Sequence, residues 1–149
     1  MWDSVTPLSA IRDLLASLTG VQSAQIGAPE AATTRVGAYV TVGADSTADQ
    51  RTGVQRGELA YFCALYYRVS GAEEAAEVAL ATALDDLKNK WITQRPLGTG
   101  LFNPSVTHVK NVRMDFNLAA NPEYVPLAGQ ELRIYPFTIF CTQEATFST

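Results

Sequence analysis

Chemistry at neutral pH usually draws on a histidine, a perturbed pair of carboxylates, a reactive thiol or a bound metal. This chain of 149 residues has few of these to offer. Its single histidine, His108, opens a strand-like stretch with no carboxylate beside it in sequence. Cys63 and Cys141 lie 78 positions apart within strand-like segments, a setting that favours buried, reduced thiols over a disulfide. Asp45 and Asp49 share a polar stretch, but they lack the alternating oxygen ligands and distal glutamate of a calcium loop. The neighbours Glu73-Glu74 and Asp85-Asp86 point in different directions on a helix and read as capping and solubility. Gly98-Thr99-Gly100 runs into Leu101-Phe102 instead of a helix start, so it is no phosphate loop. Asn103-Pro104-Ser105 has proline where a glycosylation acceptor forbids it. These residues give enzymatic chemistry no support, and they call for no cofactor and no metal.

Charge and hydropathy narrow the classes further. Net charge is −4, and no two Lys or Arg residues are adjacent, so the basic footprint of a sequence-independent nucleic-acid binder is missing. No apolar run approaches a membrane span. Met1-Trp2-Asp3-Ser4 carries neither the basic nor the apolar part of a signal peptide. At this length the chain makes one domain with a core of its own. Charged residues are 17%, a scarcity that fits a surface partly covered by a partner.

The elements that must position these residues centre on 58–91, a strand leading straight into a helix. Leu59, Tyr61, Cys63, Leu65 and Tyr67 share one strand face, and Ala60, Phe62, Ala64 and Tyr66 make the other face apolar too. Ser70 to Glu73 has the form of a capping box, with Ser70 as N-cap. Thereafter the period becomes helical, and Ala76, Leu80, Ala83, Leu84, Leu87 and Trp91 form a stripe. An earlier helix is expected from the N-cap Thr6 and Pro7 to Gly20, burying Leu8, Ile11, Leu14, Leu15 and Leu18. Strands are expected over 21–26, 35–42, 106–118 and 132–142, with Pro136 marking an edge or a bulge. Long connections are expected over 43–53, 94–105 and 119–129, and the tail 143–149 reads as frayed. The expected fold is α+β: a single domain with an antiparallel or mixed sheet of about four to five strands and two helices on one face. The other apolar sheet face would then need a different cover.

The order and texture of the whole chain resemble the tail terminator (tail completion) proteins of long-tailed bacteriophages, of the lambda type. The likeness rests on 11–21 (Ile11 to Val21), Ile26-Gly27-Ala28-Pro29-Glu30, and the strand Ala38-Tyr39-Val40-Thr41-Val42 with the polar stretch after it. It continues through Leu59, Tyr61, Cys63, Leu65 and Tyr67, the alanine-rich helix 73–87, and a last strand holding Tyr135-Pro136-Phe137. The resemblance implies a structural virion protein without enzymatic activity, built in the host cytoplasm and placed in the tail or neck. Its copies would form a homo-oligomeric ring, hexameric in the family, that caps the head-proximal end of the tail tube and halts its growth. Its partners would be the tail tube protein and the head–tail connector, with DNA passing through the lumen unread. Asp45, Asp49 and Arg51 in the polar stretch, Arg56 just after it, and Leu101 and Phe102 in the second long connection, are the candidate partner contacts. Other readings stay open: a different neck or tail-tube ring, a small-ligand module using the apolar sheet face, and an enzyme built on Cys63 or Cys141 with His108.

Overall fold

A computed structural model describes residues 3–30, 35–51, 54–71, 73–93, 109–116, 123–127 and 129–146. In chain order the elements are α1 (Val5–Ala16), β1 (Ser23–Ile26), β2 (Gly37–Arg51), β3 (Val54–Arg68), α2 (Glu73–Thr93), β4 (Val109–Asp115), β5 (Glu123–Leu127) and β6 (Gln130–Thr146). Among the described residues these are two helices and six strands, an α+β domain with a mixed sheet. The sheet order is β1-β2-β3-β6-β4, and β5 also pairs with β6. β1 lies parallel to β2, and every other pairing is antiparallel.

Alternation along the central strands sorts their side chains into two faces. Leu59, Tyr61, Cys63, Leu65 and Tyr67 of β3 are buried together with Phe137, Ile139 and Cys141 of β6. Ile11, Leu15 and Leu18 from α1 and its following turn join this core, as do Ala76, Leu80, Ala83, Leu84 and Leu87 of α2. Both helices therefore cover one face, as their expected stripes require. Polar groups lock this layer. Tyr67 donates to Glu77 Oε1 at 2.7 Å, and Arg133 Nε donates to the same oxygen at 3.0 Å. Arg133 also donates to the carbonyl of its neighbour Ile134. Farther along α2, Asp86 accepts the Thr19 backbone N–H at 2.8 Å and pairs with Lys90 at 3.3 Å. The Thr19 N–H, then Lys90, hold the Asp86 carboxyl below the usual carboxylate range.

Several boundaries differ from the sequence expectation. α1 begins at Val5 rather than at Thr6 and Pro7, because the Asp3 carboxylate accepts the N–H groups of Val5 and Thr6 at 3.1 and 3.0 Å. Proline is tolerated there because its missing N–H falls in the first turn. Before α2, the Glu73 carboxylate reaches the Gly71 N–H at 2.9 Å rather than that of Ser70. Gly71 has a φ of +91°, which turns the chain one residue later than a capping box would.

Larger corrections concern the connections. Residues 43–51 are not loop but the outer half of β2, paired with β3 as far as Arg51↔Val54. Backbone groups there are satisfied by strand pairing, although the sequence lacks the branched and aromatic residues that mark strands. The connection over 119–129 likewise contains β5, a sixth strand, and the supposedly frayed 143–146 belong to β6. Pro136 is neither on an edge strand nor at a register shift. It faces Ala64 of β3, and on its other side β6 has no ladder partner among the described residues between Ile134↔Glu123 and Thr138↔Asp115. A residue without an N–H fits such a gap.

Two positions make this packing testable. Gly20 has a φ of +92°, and a Cβ there would lie 2.8 Å from the Ala79 carbonyl oxygen of α2, whereas Gly27 at φ +91° has open space around it. Gly20→Ala should cost about 2–4 kcal/mol in urea unfolding, and Gly27→Ala only about 1 kcal/mol for the backbone conformation. Glu77→Ala, which strips Arg133 of its carboxylate, should cost about 2 kcal/mol by the same measurement. Glu77→Gln keeps an acceptor oxygen and should cost less.

Candidate interaction surface

Past the register shift between Val42 and Asp45, β2, β3 and the end of β6 continue as a three-stranded arm. Asp45 pairs with Leu59, Asp49 with Arg56, and Arg51 with Val54, while Arg56 pairs with Glu144 on its other side. The register therefore sets Arg56 in a row between Asp49 and Glu144. All four of the candidate contacts expected in and just after the polar stretch fall on this arm. The remaining two, Leu101 and Phe102, lie outside the described residues, as does His108. The arm's outer strand is irregular, with register shifts between Val42 and Asp45 and between Thr47 and Asp49.

The sheet face away from the helices is the second surface. Tyr66, Leu132 and Ile134 form a small buried cluster on it, with Tyr39 and Leu127 packed alongside. The rings of Tyr39 and Tyr66 are 5.8 Å apart, and burial raises both phenols. Two glycines of β2 make room for rings from β3. A Cβ at Gly37 would meet the Tyr66 ring at 2.8 Å, and one at Gly43 would meet the Phe62 ring at the same distance. Across the sheet the Arg113 guanidinium lies 3.8 Å from the Phe140 ring centroid, held by Glu58 at 3.2 Å. The face is thus partly sealed by side chains lying flat along it. Phe62 remains 48% exposed. Sequence pattern marked this face as apolar but missed its self-covering. Gly37 and Gly43 on the strand beside aromatic β3 positions were the available signal.

The thiols sit on the opposite, helix-covered face. Cys63 is aligned with Phe137 and Cys141 with Leu59, so the two are offset by four positions along the ladder and are free. Burial pushes both thiols up, Cys141 to about 12. They stay protonated at neutral pH, which fits poorly with a nucleophilic role. A different polar arrangement went unread in the sequence: Gln143, fully buried, donates to the Asp3 carbonyl at 2.6 Å and accepts the Asp3 N–H at 3.1 Å. Nothing in the tail's composition signals it.

Among the described residues no group of three or more His, Cys, Asp or Glu could hold a metal ion. Nor is any described helix long and apolar enough to cross a membrane. No known family model matches the sequence. No curated protein is significantly similar to it.

Buried thiols set a pH dependence. Each has a folded value above the ordinary 9.0, so its contribution to stability is complete below about pH 9 and is lost as pH rises toward the folded value. Unfolding free energy should therefore decline above pH 9, and less so in Cys141→Ala after allowing for its cavity. A disulfide-exchange reagent should label neither thiol quickly in native protein and both in denaturant.

Proposed function

We propose that this protein is a ring-forming structural component of a long-tailed phage or phage-like particle, of the tail terminator kind. In this reading its copies join head to tail, with one surface of a protomer meeting a different surface of the next. The closed ring, of six copies if the resemblance holds, caps the head-proximal end of the tail tube and stops its growth. It then meets the connector, and DNA passes through the lumen. A net charge of −4 suits a passage that must not hold DNA.

The arm is the observation that carries this reading. Strand pairing continues it to Arg51↔Val54, yet its sequence over 43–58 and 143–146 has one large apolar residue, Val54. Such an extension adds little to a core and much to reach, which suits contact with a tube. The exposed Phe62 on the helix-free sheet face offers a second, apolar contact. The α+β architecture with both helices on one face agrees with the resemblance, although it is also found in proteins of many other functions.

One observation favours a second reading, a small-ligand module. An open groove of about 450 Å³ lies between the turn after α1 and the first turns of α2, lined by Gly20, Val36, Ala76 and Ala79 with Arg35 among its polar groups.

Solution mass over a concentration series, with and without purified tail tubes and with negative-stain images, separates the two. The terminator reading expects rings, or a cap at one tube end, and loss of capping in the folded double variant Arg51→Ala/Arg56→Ala. A monomer at every concentration that ignores tubes overturns it, and a rise in Tm with a small molecule would then favour the module.

A further inference from the structure

The arm and the start of the chain meet on the same rows of the sheet. β2 shifts register between Val42 and Asp45, opposite the stretch from Tyr61 to Leu59. β4 shifts between Val109 and Asn111, opposite Gln143 and Thr142. Bulges bend and twist a sheet locally, so these rows mark where the arm leaves the body of the sheet. On the body side the strands bury large apolar side chains against α1 and α2. On the arm side Val54 is the one large apolar residue over 43–58 and 143–146, so separating those strands exposes little apolar surface.

Gln143 stands on the dividing rows, paired through its backbone with Gly57 of β3 and Val109 of β4. Its buried amide is joined by two reciprocal hydrogen bonds to the backbone of Asp3. Just inside the body, the Tyr61 hydroxyl donates to the Ser4 carbonyl at 2.9 Å. The Asp3 carboxylate meanwhile holds the first turn of α1. Asp3 and Ser4 thus form a strap across the base of the arm. When 143–146 leave β3, the Gln143 backbone moves, and its amide cannot keep both bonds to a fixed Asp3.

We infer that the arm opens and closes as a cooperative unit of its own, and that the Asp3–Gln143 clasp is the latch that breaks when it opens. The inference does not depend on what the arm touches. It makes the arm and the N-terminal strap two handles on one equilibrium, so a partner gripping either would change the other's affinity.

Residue-resolved amide hydrogen exchange on the full chain tests both halves. In the unaltered protein, paired amides over 45–50 and 55–58 should exchange faster than those over 61–67 and 137–141, because they report a smaller opening. Gln143→Leu removes the clasp by replacing the buried amide with an apolar side chain, and should accelerate the arm amides about tenfold or more, the scale of losing one or two hydrogen bonds. Asp3→Pro deletes the N–H that Gln143 accepts together with the carboxylate that holds the first turn of α1; compared with Asp3→Ala, which loses only the carboxylate, it gives the same readout where the leucine variant fails to fold. Arm amides no faster than body amides in the unaltered protein overturn the separate unit. Arm amides unmoved in the variants, while body amides accelerate, overturn the latch, because the clasp would then survive the opening.

Discussion

The antiparallel ladder between β3 and β6 runs without a register shift from Val54↔Thr146 to Arg68↔Leu132. Because successive side chains alternate, the facing of any one pair decides the facing of every residue in both strands. Placing Cys63 and Phe137 toward the helices forces Tyr61, Tyr67, Ile139 and Cys141 to the same side. It also sends Phe62, Tyr66, Ile134 and Phe140 to the other. Slipping the ladder by one residue would carry Glu58 and Arg68 under the helices and expel the core, so the register is strongly determined. β2 and β4 then only extend a pattern already set, since Val40 aligns with Cys63 and Val112 with Cys141.

The helix layer is fitted to that ladder at its ends as well as over its centre. Arg133 is the one charged residue that the facing of β6 drives beneath α2, and it is 9% exposed. Glu77 meets it from the helix and Tyr67 from the neighbouring strand, so a residue that would otherwise oppose burial instead joins three elements. At the other end of the layer, the N–H groups of the strap and of the first turn of α1 are taken up by Gln143 and Asp3. Backbone and side-chain polar groups are thus accounted for where the chain enters the layer and where α2 crosses β6.

What could be read from the sequence divides along physical lines. The β3 alternation and the α2 stripe from Ala76 to Leu87 were legible because burial on one face writes a period into the residues themselves. The arm was not legible. Over 43–51 the sequence does not alternate, and small polar residues look the same in a loop as in a strand. β5 was hidden for a related reason, since four of its five residues are exposed and Pro126 breaks its pattern. The Gln143 clasp joins residues 140 positions apart, and a single amide leaves no periodic trace. Among the candidate contacts, Asp45, Asp49, Arg51 and Arg56 were found through the length of a polar stretch; their cross-strand alignment needed the register.

Past Val40 the outer side of β2 has no partner strand among those described, so it is an edge of the described sheet. Two interruptions of its register fall within that edge, at 42–45 and 47–49. Edge-to-edge growth requires evenly spaced donors and acceptors over several residues, and an edge broken this often supplies only short runs of them. To a second copy of the chain this side of β2 therefore offers only short stretches on which a strand could be added.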